Sequence, residues 1–211
     1  MKILALDTST SRVTVALLDG GEILNQKTGG ELTGAQFHGE LLSDLIAEVL
    51  KGVKPDRIAV GIGPGPYTGL RVGITTAEAL AAAWEIDVVG IPTLAALALG
   101  HTRRGGESGT AILDVKRKEI ACQDFDAQGF LLGNPTLVHI TEFEKQNFMN
   151  LVGPAFVTQT LISPEVNDSS PVDAVDIALI GQRAEVQVFK PLYLRHPDAA
   201  EPKAPKPVSN D

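Results

Sequence analysis

Along the first hundred residues the hydrophobic period changes in a fixed order, and that order leaves the chain few folds to adopt. Ile3-Leu4-Ala5-Leu6 is an apolar run of strand length that ends at Asp7. Val13, Val15 and Leu17 alternate with Thr14, Ala16 and Leu18, and Asp19-Gly20-Gly21 then makes a turn. Glu22 to Lys27 continues as a third strand. Strands joined by turns this short predict an antiparallel meander. The pattern then becomes helical from Ala35 to Lys51, with Thr33 placed as N-cap and Gly52 just past the end. A strand at Arg57 to Gly61, a helix at Thr68 to Trp84, a strand at Val88 to Ile91 and a short helix at Pro92 to Leu99 follow. Strands separated by a helix are expected to lie parallel. The order βββαβαβα thus predicts an α/β chain with a mixed sheet.

Two helices in this stretch have unusual faces. Phe37, Leu41, Leu42, Leu45, Ile46, Val49 and Leu50 cover roughly 220° of the first helix at about 100° per residue. One sheet covers about half of that arc, so the rest awaits another part of the chain or a partner. Gly69, Gly73, Ala77 and Ala81 recur every fourth residue on the second helix, a stripe that lets another helix approach closely, inside the chain or from outside it.

The Gly- and Arg-containing loop from Gly100 to Gly109 reads as a boundary. It divides the chain into a subdomain over 1–104, a smaller one over 105–190 and a tail over 191–211. Strands are expected at Ala111 to Asp114 and Glu119 to Phe125, weaker elements between Leu131 and Val157, and a last helix at Asp173 to Gln187. The tail carries Pro197, Pro202, Pro205 and Pro207, a composition for extended or disordered chain.

Composition narrows the function classes. The chain has 211 residues, 44% apolar and 21% charged, enough to bury a core. Its formal charge is −8, from 18 basic against 26 acidic residues, and such a surface repels a phosphate backbone. The basic clusters at Arg103-Arg104 and Lys116-Arg117-Lys118, and Arg195, Lys203 and Lys206, read as solvated loop charge. Cys122 is the single cysteine, so no intramolecular disulfide and no Cys-based zinc site can form, and its strand setting suits a buried structural thiol. No apolar run approaches the roughly 20 residues that span a bilayer, and the start is too short for a signal-peptide core, so a cytoplasmic protein is expected.

Three segments carry a resemblance. Ile3-Leu4-Ala5-Leu6-Asp7-Thr8-Ser9-Thr10 resembles the opening strand and turn of the actin-like ATPase superfamily, which shares the ribonuclease H-like fold. Gly63-Pro64-Gly65-Pro66-Tyr67-Thr68-Gly69-Leu70-Arg71-Val72-Gly73 is similar to the Gly-Pro-Gly-Ser-Phe-Thr-Gly-Leu-Arg-x-Gly block of the TsaB (YeaZ) family. Tyr193-Leu194-Arg195 with Pro197-Asp198-Ala199 is similar to that family's C-terminal signature. Residues 1 to 100 match in order and spacing, and 105 to 190 loosely. Pro66 and Tyr67 depart from the Ser and Phe of the block, and proline removes an amide donor. Asp114-Val115-Lys116-Arg117 departs from Asp-Ala-Arg with a glycine soon after. The resemblance implies an actin-like fold with a degenerate second subdomain.

Within that resemblance, Asp7, Thr8, Ser9 and Thr10 stand where active superfamily members face nucleotide phosphate and Mg²⁺, so a vestigial nucleotide site is one reading. A turn whose side chains cap local amides is the other. Gly63, Pro64, Gly65, Thr68, Gly69, Leu70 and Arg71 form the family block; without a Lys after its last loop glycine it is no Walker A loop. The block reads as a tight strand-to-helix connection, with Arg71 expected to pair a nearby carboxylate. TsaD proteins, the catalytic relatives, bind metal through a His-x-x-x-His pair after their fifth strand. Pro92-Thr93-Leu94-Ala95-Ala96-Leu97 holds no histidine, which removes the centre of metal-dependent catalysis.

The resemblance therefore implies a non-catalytic subunit that pairs with a TsaD-type protein for threonylcarbamoyl transfer to adenosine 37 of tRNA. The partner surface is expected at His38, Leu41, Leu42, Leu45, Ile46, Gly69, Leu70 and Gly73. A TsaE-type ATPase is the other implied neighbour, with tRNA reached only through the complex and a homodimer forming in the partner's absence. No cofactor or metal of its own is expected, ATP or ADP being assigned to the subunit junction. The rival classes are a small ATP-dependent phosphotransferase using Asp7 and its turn, and a metallopeptidase.

Overall fold

The computed structural model describes residues 1–30, 38–143, 148, 150–154, 157 and 171–194. A five-stranded sheet takes the order β3-β2-β1-β4-β5, from β1 (Lys2–Asp7), β2 (Val13–Asp19), β3 (Glu22–Gly29), β4 (Arg57–Gly61) and β5 (Asp87–Ile91). The meander β1-β2-β3 is antiparallel, with Ala5 opposite Ala16, while β4 lies parallel to β1 and β5 parallel to β4. This mixed order, with a meander on one side of β1 and parallel crossovers on the other, is that of the ribonuclease H-like, actin-like fold. Gly20 and Gly21 turn the second hairpin, from β2 to β3, at φ 56° and 97°, a region glycine enters without a Cβ clash.

Both faces of this sheet are covered, which is why its central strand is apolar at nearly every position. Leu4, Leu6, Val15, Ile58 and Val60 pack under α1 (His38–Leu50) and α2 (Tyr67–Trp84). Ile3, Ala5, Ala16, Ala59 and Val89 pack on the opposite side, against α3 (Thr93–Arg103) and α5 (Ala174–Gly181). A second sheet of order β8-β7-β6-β9 comprises β6 (Gly109–Asp114), β7 (Glu119–Phe125), β8 (Leu131–His139) and β9 (Leu151–Val152), with the short α4 (Ile140–Phe143) following β8. Cys122 is buried in β7 beside Ile112 and Ile120, and burial pushes its thiol up to about 12, which keeps it unreactive.

Three sequence expectations shift. The Gly100–Gly109 loop begins later, because α3 runs to Arg103 and buries Gly100 against the Asp176 carboxylate. The last helix ends at Gly181 instead of Gln187. Arg57 donates to the carbonyls of Gly181 at 3.1 Å and Ala184 at 3.0 Å, taking acceptors that another helical turn would use, and Ile180 is the final apolar residue of the run. Thr33 and Ala35 to Phe37, assigned to the start of the first helix, lie outside the described residues, as does the tail from Arg195 onward. Among the described residues no helix is long and apolar enough to cross a membrane.

Candidate functional site

The turn after β1 and the loop after β4 leave the sheet side by side and close on each other. Thr8 donates its hydroxyl to the Gly69 carbonyl at 2.6 Å, inside the first turn of α2. Gly73 lies one turn further, and a Cβ there would collide with the Thr8 hydroxyl. Gly65 is pressed against the Ser9 backbone and Gly61 against the Asp7 carboxylate, so side chains at these positions would displace the turn. The glycines of the family block thus serve the close approach of two loops. Pro66 takes the N-cap place of α2 at φ −57°, and its carbonyl accepts from Leu70 at 3.1 Å. Proline's preset φ suits that place, and it brings no side-chain acceptor for the first amides of the helix.

Asp7 is fully buried under this closure. Its Oδ1 accepts from the Ser9 amide at 2.7 Å and the Ser9 hydroxyl at 2.6 Å, and its Oδ2 from the Thr93 hydroxyl at 2.9 Å. Thr93 in turn accepts from the Gly63 amide at 3.2 Å and donates its own amide to the Gly63 carbonyl at 2.7 Å. Burial pushes the Asp7 carboxyl above its ordinary value, and the bonds from Ser9 and Thr93 pull against that. The turn therefore caps its own amides, the second of the two readings open from sequence. Thr10 stands apart, bonded among the described residues only to Arg12 beside it. Thr93 went unnoticed in the sequence, although Pro92-Thr93 opening a helix just after β5 marks a residue aimed back at the ends of β1 and β4.

Of the residues expected on a partner surface, most turn inward. Leu42, Leu45, Ile46 and Leu70 belong to the core beneath α1 and α2, and Gly69 and Gly73 are buried beside Thr8. Leu41 is half-buried against Gly29 and Gly30. The wide apolar arc of α1 is covered by its own chain, because α1 sits in the corner between β2, β3 and α2. His38 opens α1, and its side chain lies outside the described atoms. The small residues exposed on the same helices are Gly39, Ser43 and Ala47 on α1 and Thr68, Thr75, Ala79, Ala82 and Ala83 on α2, with Tyr67 and Arg71 exposed where α2 begins. Around them lie the acids Glu40, Asp44, Glu48 and Glu78.

Arg71 pairs no carboxylate among the described residues, contrary to expectation. It donates to the Tyr67 hydroxyl at 2.8 Å and lies 5.3 Å from that ring's centroid. Tyr193 stacks on Tyr67, centroids 5.0 Å apart and planes tilted by 31°. Elsewhere, Asp176 is buried in α5 and ion-paired to Arg103; burial raises its carboxyl, and Arg103 opposes that. Among the described residues no three His, Cys, Asp or Glu side chains gather as metal ligands.

Residues 27–148 match the family model described as TsaD, tRNA N6-adenosine threonylcarbamoyltransferase. The tRNA threonylcarbamoyladenosine biosynthesis protein TsaB of Escherichia coli is 26% identical over 225 residues, covering 93% of this chain and 95% of that protein. The Haemophilus influenzae protein of the same name is 33% identical over 126 residues, 57% of this chain and 52% of that one. Among solved structures, YeaZ from Pseudomonas aeruginosa superposes with a TM-score of 0.69 at 27% identity, covering 86% of this chain and 90% of that one.

Proposed function

The chain belongs to the TsaB (YeaZ) family, and from that premise we propose that it serves tRNA threonylcarbamoyladenosine formation as a non-catalytic subunit holding a TsaD-type protein in its active arrangement. The observation that carries this reading is the outer surface of α1 and α2. The two helices touch, leave the same end of the sheet, and present small side chains to solvent, at every fourth residue of α1 and along α2 on either side of Arg71. Gly39, Ser43 and Ala47 on one and Thr68, Thr75, Ala79 and Ala82 on the other leave room for two further helices to pack closely. A partner with the same fold brings two such helices, and the four form a bundle.

The state of the Asp7 turn supports the same reading. A nucleotide site needs free phosphate donors and a carboxylate open to a metal shell. Here Asp7 is buried among three hydroxyl and amide donors, and the loop glycines press upon it. Such a subunit acts by population shift: it binds one arrangement of its partner better than the others and so enriches it. The reading carries with it a TsaE-type ATPase as further neighbour, tRNA held by the complex, and a homodimer on the same helix face when the partner is absent.

Reconstitution tests it. The TsaD-type protein of the same organism, with its ATPase and threonylcarbamoyl donor, is assayed for modified tRNA with this chain omitted, intact, or carrying Ala79→Arg. Modification that needs the intact chain and fails with Ala79→Arg supports the proposal. Equal modification without the chain refutes it.

A further inference from the structure

Two exposed side chains of α2 meet a third from a distant part of the sequence at the start of that helix. Tyr67 is 54% exposed and Tyr193 is 41% exposed, large apolar surfaces to leave in water. Both are held firmly. Tyr193 follows Leu192, whose amide donates to the Ile62 carbonyl at 2.8 Å, and Phe189 packs on Gly90 just upstream. Arg71 is fixed over Tyr67 by its bond to the hydroxyl. A guanidinium uses only one of its five N–H donors in such a bond, and the others are shaped for a carboxylate or phosphate.

Charge and position decide what it receives. Arg71 is the one Lys or Arg on either outer helix, among acids at Glu40, Asp44, Glu48 and Glu78. It continues the outward row Thr68–Thr75–Ala79–Ala82. A polyphosphate backbone meets those acids and the net charge of −8, whereas a single carboxylate on a protein meets one fixed cation at close range.

We propose that Tyr67, Arg71 and Tyr193 form a composite anchor for one carboxylate side chain of the partner subunit, at the end of the interface where α2 begins. Arg71 makes the ion pair, and Tyr193 is a positioning residue that holds the Tyr67 ring under it. Arginine and tyrosine, already ordered before contact, are the side chains that dominate interface affinity. The anchor rests on the pairing proposed above. It also makes the segment after α5 a determinant of partner binding.

The test is the dissociation constant of the full chain with the TsaD-type protein of the same organism, measured by calorimetry across a salt series. Wild type is compared with Arg71→Gln, Tyr193→Ala and Tyr193→Phe. Arg71→Gln is expected to weaken binding about tenfold or more and to flatten its salt dependence; Tyr193→Ala weakens it severalfold, and Tyr193→Phe, which keeps the stack, stays near wild type. Binding of wild type and Arg71→Gln within twofold, with equal salt slopes, overturns the anchor while leaving the pairing intact. Loss of tRNA retention by isolated Arg71→Gln, with partner binding unchanged, assigns the site to phosphate and also overturns it. No binding by wild type removes the pairing itself and the anchor with it.

Discussion

Adding one methyl group at Gly73 should destabilise the chain, although it lies inside a helix where alanine is favoured. Helix propensity alone predicts that Gly73→Ala gains about 1 kcal/mol. Against that, the new Cβ collides with the Thr8 hydroxyl, which is buried and donates to Gly69 at 2.6 Å. Rotating Thr8 away leaves a buried hydroxyl unpaired, at about 1–3 kcal/mol. Shifting the turn or helix to keep the bond brings overpacking of about 1–3 kcal/mol. Either response costs about 1–3 kcal/mol against the gain of about 1, so the net loss is about 1 kcal/mol and at most about 2, or roughly 2–8 °C in melting temperature for a chain of this size. Gly39→Ala is the control, because a Cβ there meets nothing within 4 Å among the described residues, and it should gain about 0.5 kcal/mol. Urea unfolding of both variants reads the difference. Gly73→Ala at or above wild-type stability refutes the interlock of the two loops.

Other perturbations separate core from surface and test the buried acid. Leu42→Ala, at a fully buried position, should lose about 2–5 kcal/mol by chemical denaturation, while Ala79→Arg on the outer face should stay within about 0.5 kcal/mol of wild type. Asp7 has its carboxyl raised in the folded state above the ordinary 3.8, so the folded chain binds that proton more tightly than the unfolded one. Its contribution to stability therefore grows as pH falls through the folded value toward about 4 and is lost as pH rises. Urea midpoints of wild type and Asp7→Asn at pH 7, 5.5 and 4 should diverge in the wild type's favour as pH falls. A constant or opposite difference contradicts the burial of Asp7.

The first sheet was legible because its elements differ in period. The first strand is a short apolar run, the second alternates at two, the helices repeat at 3.6, and Gly20-Gly21 marks a turn that other residues enter with strain. The small stripe on α2 was visible too, but its purpose was not: Gly69 and Gly73 admit Thr8, which lies 61 positions before Gly69. Long-range closure leaves no periodic trace. The same holds for Thr93 on Asp7 and for Tyr193 on Tyr67. The return of α5 to the first sheet was hidden because Ala174, Val175, Ile177 and Ala178 are all buried, so no face of that helix reads as polar. The resemblance put Leu42, Leu45 and Ile46 on a partner surface, while their arc, wider than one sheet covers, left room for either a partner or the chain itself; α1 lies in a corner that covers it from two sides. The outward row was the quieter signal, since glycine, serine, threonine and alanine read as neutral in any hydrophobic count.

The account turns on whether that outward row is where the chain meets its partner. Size-exclusion chromatography with light scattering measures it directly, on the chain alone and mixed with the TsaD-type protein of the same organism, as wild type and as Ala79→Arg. A mixed complex for wild type, lost in an Ala79→Arg chain of unchanged fold, is the predicted result. A complex that forms equally well with Ala79→Arg, or no complex with wild type at micromolar concentrations, would contradict it.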